Sequence, residues 1–141
     1  MAPVALDADV LIAFLDPGDA QHQRAVSELR PRLAAGEQLI IGASVYAEVM
    51  VRPLQQGTDA KVDEFLDATA TRVLAVDRPL ARRAAHLRAR HRSLRLGDAL
   101  SLATAVEHDA QLITLDQRLR RVAAREQASQ QDSPGKQPPS S

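Results

Sequence analysis

The chain contains no cysteine. Disulfides, thiolate nucleophiles and cysteine-based zinc sites are thereby excluded in one step. Tryptophan is missing as well, and aromatics come to 2% of the 141 residues, namely Phe14, Tyr46 and Phe65. This argues against a nucleic-acid platform of stacked rings and leaves Ala, Leu and Val to build the core. Net charge is absent too, because eighteen basic and eighteen acidic residues cancel. Any electrostatic function must therefore rest on segregated charge. Lysine is nearly absent, with Lys61 and Lys136 alone among the basic residues that are otherwise arginine. There is no basic start followed by a long apolar core, and no apolar run long enough to span a bilayer. A soluble cytoplasmic protein is the expectation.

What is present suits one compact domain: 45% of residues are hydrophobic, and the length leaves no room for a second core. Residues 4–6 read as a short buried strand, followed by an apolar helix over 10–15 that ends near Pro17 and Gly18. Asp19 is placed to cap a helix running to about Ala35, with Pro31 as a possible kink and Gly36 as its stop. "QLIIG" (38–42) reads as a second strand, and "ASVYAEVMVR" (43–52) as a helix closed by Pro53. An amphipathic helix over 58–69 precedes a third strand, "RVLAV" (72–76), and a helix with Pro79 in its first turn. "DALSLATAVEHD" (98–109) is apolar almost all round, hence a buried helix. "QLITL" (111–115) is a fourth strand, and a basic helix starts near Gln117. From Ala128 the composition turns to Gln, Ser, Pro and Gly, which cannot bury enough apolar area to order itself. The expectation is one domain over 1–127 and a disordered polar tail over 128–141.

Strands alternating with helices imply parallel pairing with helices on both faces, an α/β sandwich. Ligands in such sheets bind beyond the carboxyl ends of the strands, and that is where the acids fall. Asp7 and Asp9 follow the first strand, Asp116 follows the fourth, and Asp98 opens the buried helix. Glu48 lies in the helix after the second strand. Carboxylates brought together in a low-dielectric cleft must protonate or gain a cation. Oxygen ligands without cysteine favour Mg2+ or Mn2+. Each acid also has a plainer reading. Asp98 and Asp116 can each cap a helix, Glu48 can pair with Arg52 one turn on, and Asp9 reads best as a solvated or capping residue. The neighbours of Glu48 (Val45, Ala47, Val49, Val51) are apolar, so an unpaired carboxylate there is costly.

Three segments, "VALDADVLIAFLD", "ASVYAEVMVR" and "LRLGDALSLATAVEHDAQLITLD", resemble in order and spacing the PIN-domain ribonucleases, and within them the VapC-type toxins of bacterial toxin–antitoxin pairs. The resemblance runs from about Val4 to Leu119. It implies a three-layer α/β/α fold with a central parallel sheet of four or five strands. It also implies that Asp7, Glu48, Asp98 and Asp116 hold one or two Mg2+ or Mn2+ ions for hydrolysis of RNA phosphodiester bonds, leaving 5′-phosphate and 3′-hydroxyl ends. Asp9 then supports the site, and Ser44 and Thr114 stand where small hydroxyl residues assist it. The partners implied are an RNA substrate and a small cognate antitoxin, the latter against the helices of 8–35 and 43–70, in a homodimer or a toxin–antitoxin hetero-oligomer. One departure is that "VAAREQASQQDSPG" stands where the family usually has a short last strand.

Arginine is segregated. Arg78, Arg82, Arg83, Arg88, Arg90, Arg92 and Arg95 crowd one helix and its exit, and Arg118, Arg120, Arg121 and Arg125 crowd another. Such patches suit phosphate binding, a solvated helix face or an antitoxin surface. His86 and His91 read as surface or RNA-contact residues rather than metal ligands. Three rival readings are weighed. "LDADVL" resembles the first motif of haloacid-dehalogenase-type phosphatases, with Asp7 as nucleophile, but Asp98 is followed four residues later by Leu102 where a second acid is needed. A catalytically silent PIN-like binding module would lack one of the acids, and a flap-DNA nuclease would carry long insertions.

Overall fold

A computed structural model of the protein describes residues 2–131. In chain order the elements are β1 (Val4–Leu6), α1 (Ala8–Leu15), α2 (His22–Ala34), β2 (Leu39–Gly42), α3 (Ala43–Gln56), α4 (Asp59–Ala68), β3 (Arg72–Leu74), α5 (Arg78–Arg90), α6 (Leu96–Glu107), β4 (Gln111–Ile113) and α7 (Gln117–Gln131). The four strands form one parallel sheet in the order β3-β2-β1-β4, with Val4 beside Leu39 and Gln111 at the start of β1. Side chains along a strand alternate between faces, and here both faces are covered. Val4, Leu6, Leu39, Ile41 and Ile113 pack under α1 to α4, whereas Ala5, Ile40 and Leu112 pack under α5, α6 and α7. The α/β/α sandwich expected from the sequence is the fold observed, with four strands among the described residues.

This strand order fixes where a site can form. The chain builds outward from β1 to β2 and β3, then returns across the sheet to add β4 on the other side of β1. The loops leaving β1 and β4 therefore diverge, and the crevice at such a reversal is the ligand position in open α/β sheets. Helix α6 runs beneath it, and Ala99, Leu102, Ala103 and Ala105 are fully buried. Small side chains let that helix sit close to the strands.

Several boundaries differ from the sequence reading. Helix α3 does not close at Pro53 but continues to Gln56. Proline forfeits one backbone bond to Val49, a modest loss in a last turn that Gly57 ends at φ +72°, where Thr58 N–H donates to the Pro53 carbonyl at 2.8 Å. Asp19 does not cap α2: Gln21 holds that position, and Asp19 accepts from Gln21 N–H in the turn before it. Strand β3 ends at Leu74. Of the stretch where the resemblance would place a last strand, residues 122–131 are helical instead, and the remainder lies outside the described residues. Helix α7 runs on to Gln131, past the domain end expected at Gln127; the rest of the expected tail lies outside the described residues. No helix among the described residues is long and apolar enough to cross a membrane.

Helix α7 is fastened at its far half by Glu126. Arg90 donates to both of its oxygens (3.3 and 2.9 Å), and His91 Nε2 lies 2.6 Å from Oε1. Burial would raise this carboxyl, but the Arg90 and His91 contacts outweigh it and hold Glu126 below the usual range. A depressed acid contributes stability above its unfolded pKa and loses it as pH falls through the folded value. Glu126→Gln is expected to cost about 1 kcal/mol at pH 7 and progressively less toward pH 3, as thermal unfolding at the two pH values will show.

Candidate active site

The crevice between the ends of β1 and β4 is built around Asp7. This residue is the N-cap of α1, with its Oδ1 accepting from Ala8 N–H at 3.0 Å. Ser101 Oγ donates to Oδ1 and Thr114 Oγ1 to Oδ2, both at 2.9 Å. The carboxylate is only 8% exposed and has no cationic partner among the described residues. Burial first, and the Asp9 charge second, push it up to about 6 despite three hydrogen bonds that favour the ionised form.

Asp9 lies one residue into α1 and reaches across to the other loop. It accepts from Leu115 N–H at 3.1 Å and from Thr114 Oγ1 at 3.2 Å. Burial raises Asp9 as well, against those bonds, and the charge of Asp116 adds to the rise. Thr114 is the hub, since its hydroxyl also accepts from Asp116 N–H at 3.2 Å. A hydroxyl has one proton to give, so Asp7 and Asp9 compete for it. The sequence reading of Asp9 as a solvated or merely capping residue is therefore corrected: it is half-buried and ties the β1 and β4 exits together.

Asp116 caps α7, whereas Asp98 does not open the buried helix as expected: α6 starts at Leu96 after the N-cap Arg95, and Asp98, its third residue, closes a capping box. Asp116 Oδ1 accepts from Arg118 and Leu119 N–H at the start of α7 (2.9 and 3.3 Å), and Asp98 Oδ2 accepts from Arg95 N–H at 3.2 Å. Their remaining charge faces one guanidinium, because Arg118 Nη2 stands 3.9 Å from Asp98 and 3.8 Å from Asp116. Glu48 does not pair with Arg52, which lies instead 3.9 Å from Asp16. Nor is it enclosed by its apolar neighbours: Val45 and Val49 are buried, but Ala47, Glu48 and Val51 are exposed. The Glu48 tip leans over Gly97, where a Cβ would come 2.8 Å from Oε1. Partial burial, then the charges of Asp98 and Asp9, raise Glu48 above its ordinary value.

The acids thus form a continuous chain of repulsion, from Asp7 to Asp9 to Asp116 and from Asp9 to Glu48 to Asp98. Ser44 makes no hydrogen bond to them among the described residues, whereas buried Ser101, which the sequence reading passed over, does. Its signal was a hydroxyl on an otherwise apolar helix, three residues after Asp98, where a buried polar group needs a partner. The donor set suits a hard divalent cation in charge and in chemistry: all oxygen, several carboxylates, no sulfur. As the side chains stand, no three Asp, Glu, His or Cys among the described residues are gathered as one ion's ligands. Arg118 occupies the space between two of them.

A family model of the PIN domain matches residues 4–125 of the chain. No curated protein sequence matches it significantly. Among solved structures, the fold is similar to a chain of a toxin–antitoxin complex from Klebsiella pneumoniae. Identity there is 27% and the TM-score 0.63, over 80% of this chain and 86% of that one. It is also similar to VapC20 of Mycobacterium tuberculosis, a Sarcin-Ricin loop cleaving toxin, at 21% identity and a TM-score of 0.67, over 84% of this chain and 93% of that one.

The buried, raised carboxyl of Asp7 has a consequence for stability. A folded pKa above the unfolded value near 3.9 means that Asp7 favours folding at low pH and disfavours it as pH rises through about 6. Without divalent ions at pH 7.5, Asp7→Asn is expected to be more stable than the parent by about 1–3 kcal/mol. Denaturant titrations at pH 7.5 and pH 4 check this; the advantage must shrink at the lower pH.

Proposed function

The chain belongs to the PIN-domain family, and from that premise we propose that it is a Mg2+- or Mn2+-dependent endoribonuclease, the toxin of a cytoplasmic toxin–antitoxin pair. The observation that carries the proposal is Asp7: a buried carboxylate with a donor on each oxygen, other carboxylates beside it and no cationic side chain paired with it among the described residues. Asp7, Glu48, Asp98 and Asp116 are the residues that would hold the metal, with Asp9 in support. A divalent cation held there supplies an activated water and neutralises charge on the phosphate under attack. The protein's own part is positional. Ser101 and Thr114 fix the rotamer of Asp7, Asp9 locks the β4 exit against α1, and Arg120 Nη2 holds the Thr114 carbonyl at 2.7 Å.

Substrate attraction falls to the arginines that have no other task. Arg83, Arg88 and Arg90 are engaged with Glu107, the Leu94 carbonyl and Glu126, so the α5 row is not a uniform phosphate ladder. Arg78, Arg82, Arg92 and Arg95 make no ion pair among the described residues, and Arg95 directly precedes the helix that carries Asp98. These are the proposed contacts to RNA phosphates. A phosphatase reading is disfavoured because Leu102 stands where its second acidic motif needs a carboxylate, and Lys61 lines a groove that does not include Asp7.

That groove supports the antitoxin half of the proposal. It measures about 500 Å³, begins at Glu48 and is walled by Ile12, Leu15, Val49 and Val62, with Arg52 and Lys61 on its rim. Val51, on its edge, is 56% exposed. An apolar helix of a small partner protein fits such a surface, within the two helical regions expected from the sequence. The likeness to a chain of a toxin–antitoxin complex favours this over other partners.

Purified protein is expected to cleave RNA with Mg2+ or Mn2+ and not in EDTA, and Asp7→Asn or Asp98→Asn is expected to lower the rate at least about 100-fold. Cleavage persisting in EDTA contradicts the metal mechanism. Growth arrest on expression, relieved by the product of a neighbouring reading frame, tests the toxin assignment. In the same assay Val51→Glu is expected to keep the arrest and lose the relief, read out by loss of co-purification.

A further inference from the structure

Among the described residues, Arg118 is the one basic side chain within 4 Å of any of the five site acids, and it reaches two of them. We propose that Arg118 is a tethered counter-ion that occupies the gap between Asp98 and Asp116 and competes with a divalent cation for those carboxylates. The inference rests on the reading of the acids as a metal site and says how that site is kept when no metal is bound.

Three observations support it. The backbone of Arg118 is fixed beside the acids, since its N–H donates to Asp116 Oδ1 at 2.9 Å, so the side chain pivots from a root that stays at the site. The side chain itself is 44% exposed, and its separations of 3.9 and 3.8 Å are too long for hydrogen bonds. Arg118 is therefore held by charge alone and can swing into solvent. The nearby Arg120 behaves differently, with a 2.7 Å bond to the Thr114 carbonyl. One arginine at the start of α7 is bolted to the frame and the other is resting on the acids. Two partly exposed carboxylates share this one guanidinium, and a doubly charged ion supplies the same neutralisation better at closer range.

The test is calorimetric titration of Mn2+ into the full chain and into Arg118→Gln and Arg118→Lys. Losing the competing charge is expected to tighten Mn2+ binding about three- to ten-fold in Arg118→Gln, while Arg118→Lys stays near the parent. Thermal unfolding in EDTA gives a second reading, in which Arg118→Gln melts below the parent and gains more from added Mn2+. Equal or weaker Mn2+ binding by Arg118→Gln, with binding by the parent intact, overturns the counter-ion role and leaves the metal site standing. Absence of Mn2+ binding in all three proteins removes the metal reading, and the competition with it.

Discussion

Like charges gathered at one edge of a parallel sheet are the constraint from which the rest of this structure follows. The order β3-β2-β1-β4 makes the loops after β1 and β4 part company over the end of the sheet, and both loops carry aspartates. Nothing in the strands requires acids there, and repulsion between them works against folding. The protein meets that cost with hydroxyls rather than with cations in the interior. Ser101 and Thr114 hold Asp7, and Thr114 is shared with Asp9. Among the described residues a guanidinium intervenes only at the open rim, where Arg118 approaches Asp98 and Asp116. The result is a carboxylate that is positioned but not neutralised, the condition in which a divalent ion gains most by arriving.

Much of this was legible in the sequence because the signals were local. Short apolar strands between helical stretches fix the layer architecture, and an acid directly after an apolar run marks the carboxyl end of a strand. Asp7 and Asp116 fall to that rule, and Asp98 to its place at the head of a buried helix. What was not legible depends on which loops become neighbours. Asp9 looks idle until Thr114 and Leu115, more than a hundred residues away, come beside it. Ser101 looks like a tolerated impurity in an apolar helix until Asp7 is placed above it. Glu48 looked buried because its neighbours in sequence are apolar, yet a helix surface turns about 100° per residue, so adjacent residues need not share its environment. Pro53 misled for a related reason: near the end of a helix the bond it forfeits costs little.

The arginines show how composition overstates function. Counted along the chain they form two dense basic patches, but in three dimensions several are structural. Arg90 fastens α7 through Glu126, Arg120 fixes the β4 exit, and Arg83 pairs with Glu107. Those left over include Arg92 and Arg95 at the turn into α6, and it is their placement, not their number, that would direct a phosphate backbone to the acids. A neutral chain can in this way present a basic approach to an acidic crevice.

Whether the five acids share a divalent cation once it is offered is tested most directly by anomalous diffraction from crystals grown with Mn2+. A manganese peak is expected in the crevice roughly 2.1 Å from an Asp7 oxygen, with at least one further oxygen from Asp98, Asp116 or Glu48 and with Arg118 turned outward. A crevice without manganese, and Arg118 still lodged between Asp98 and Asp116 at saturating Mn2+, would contradict it.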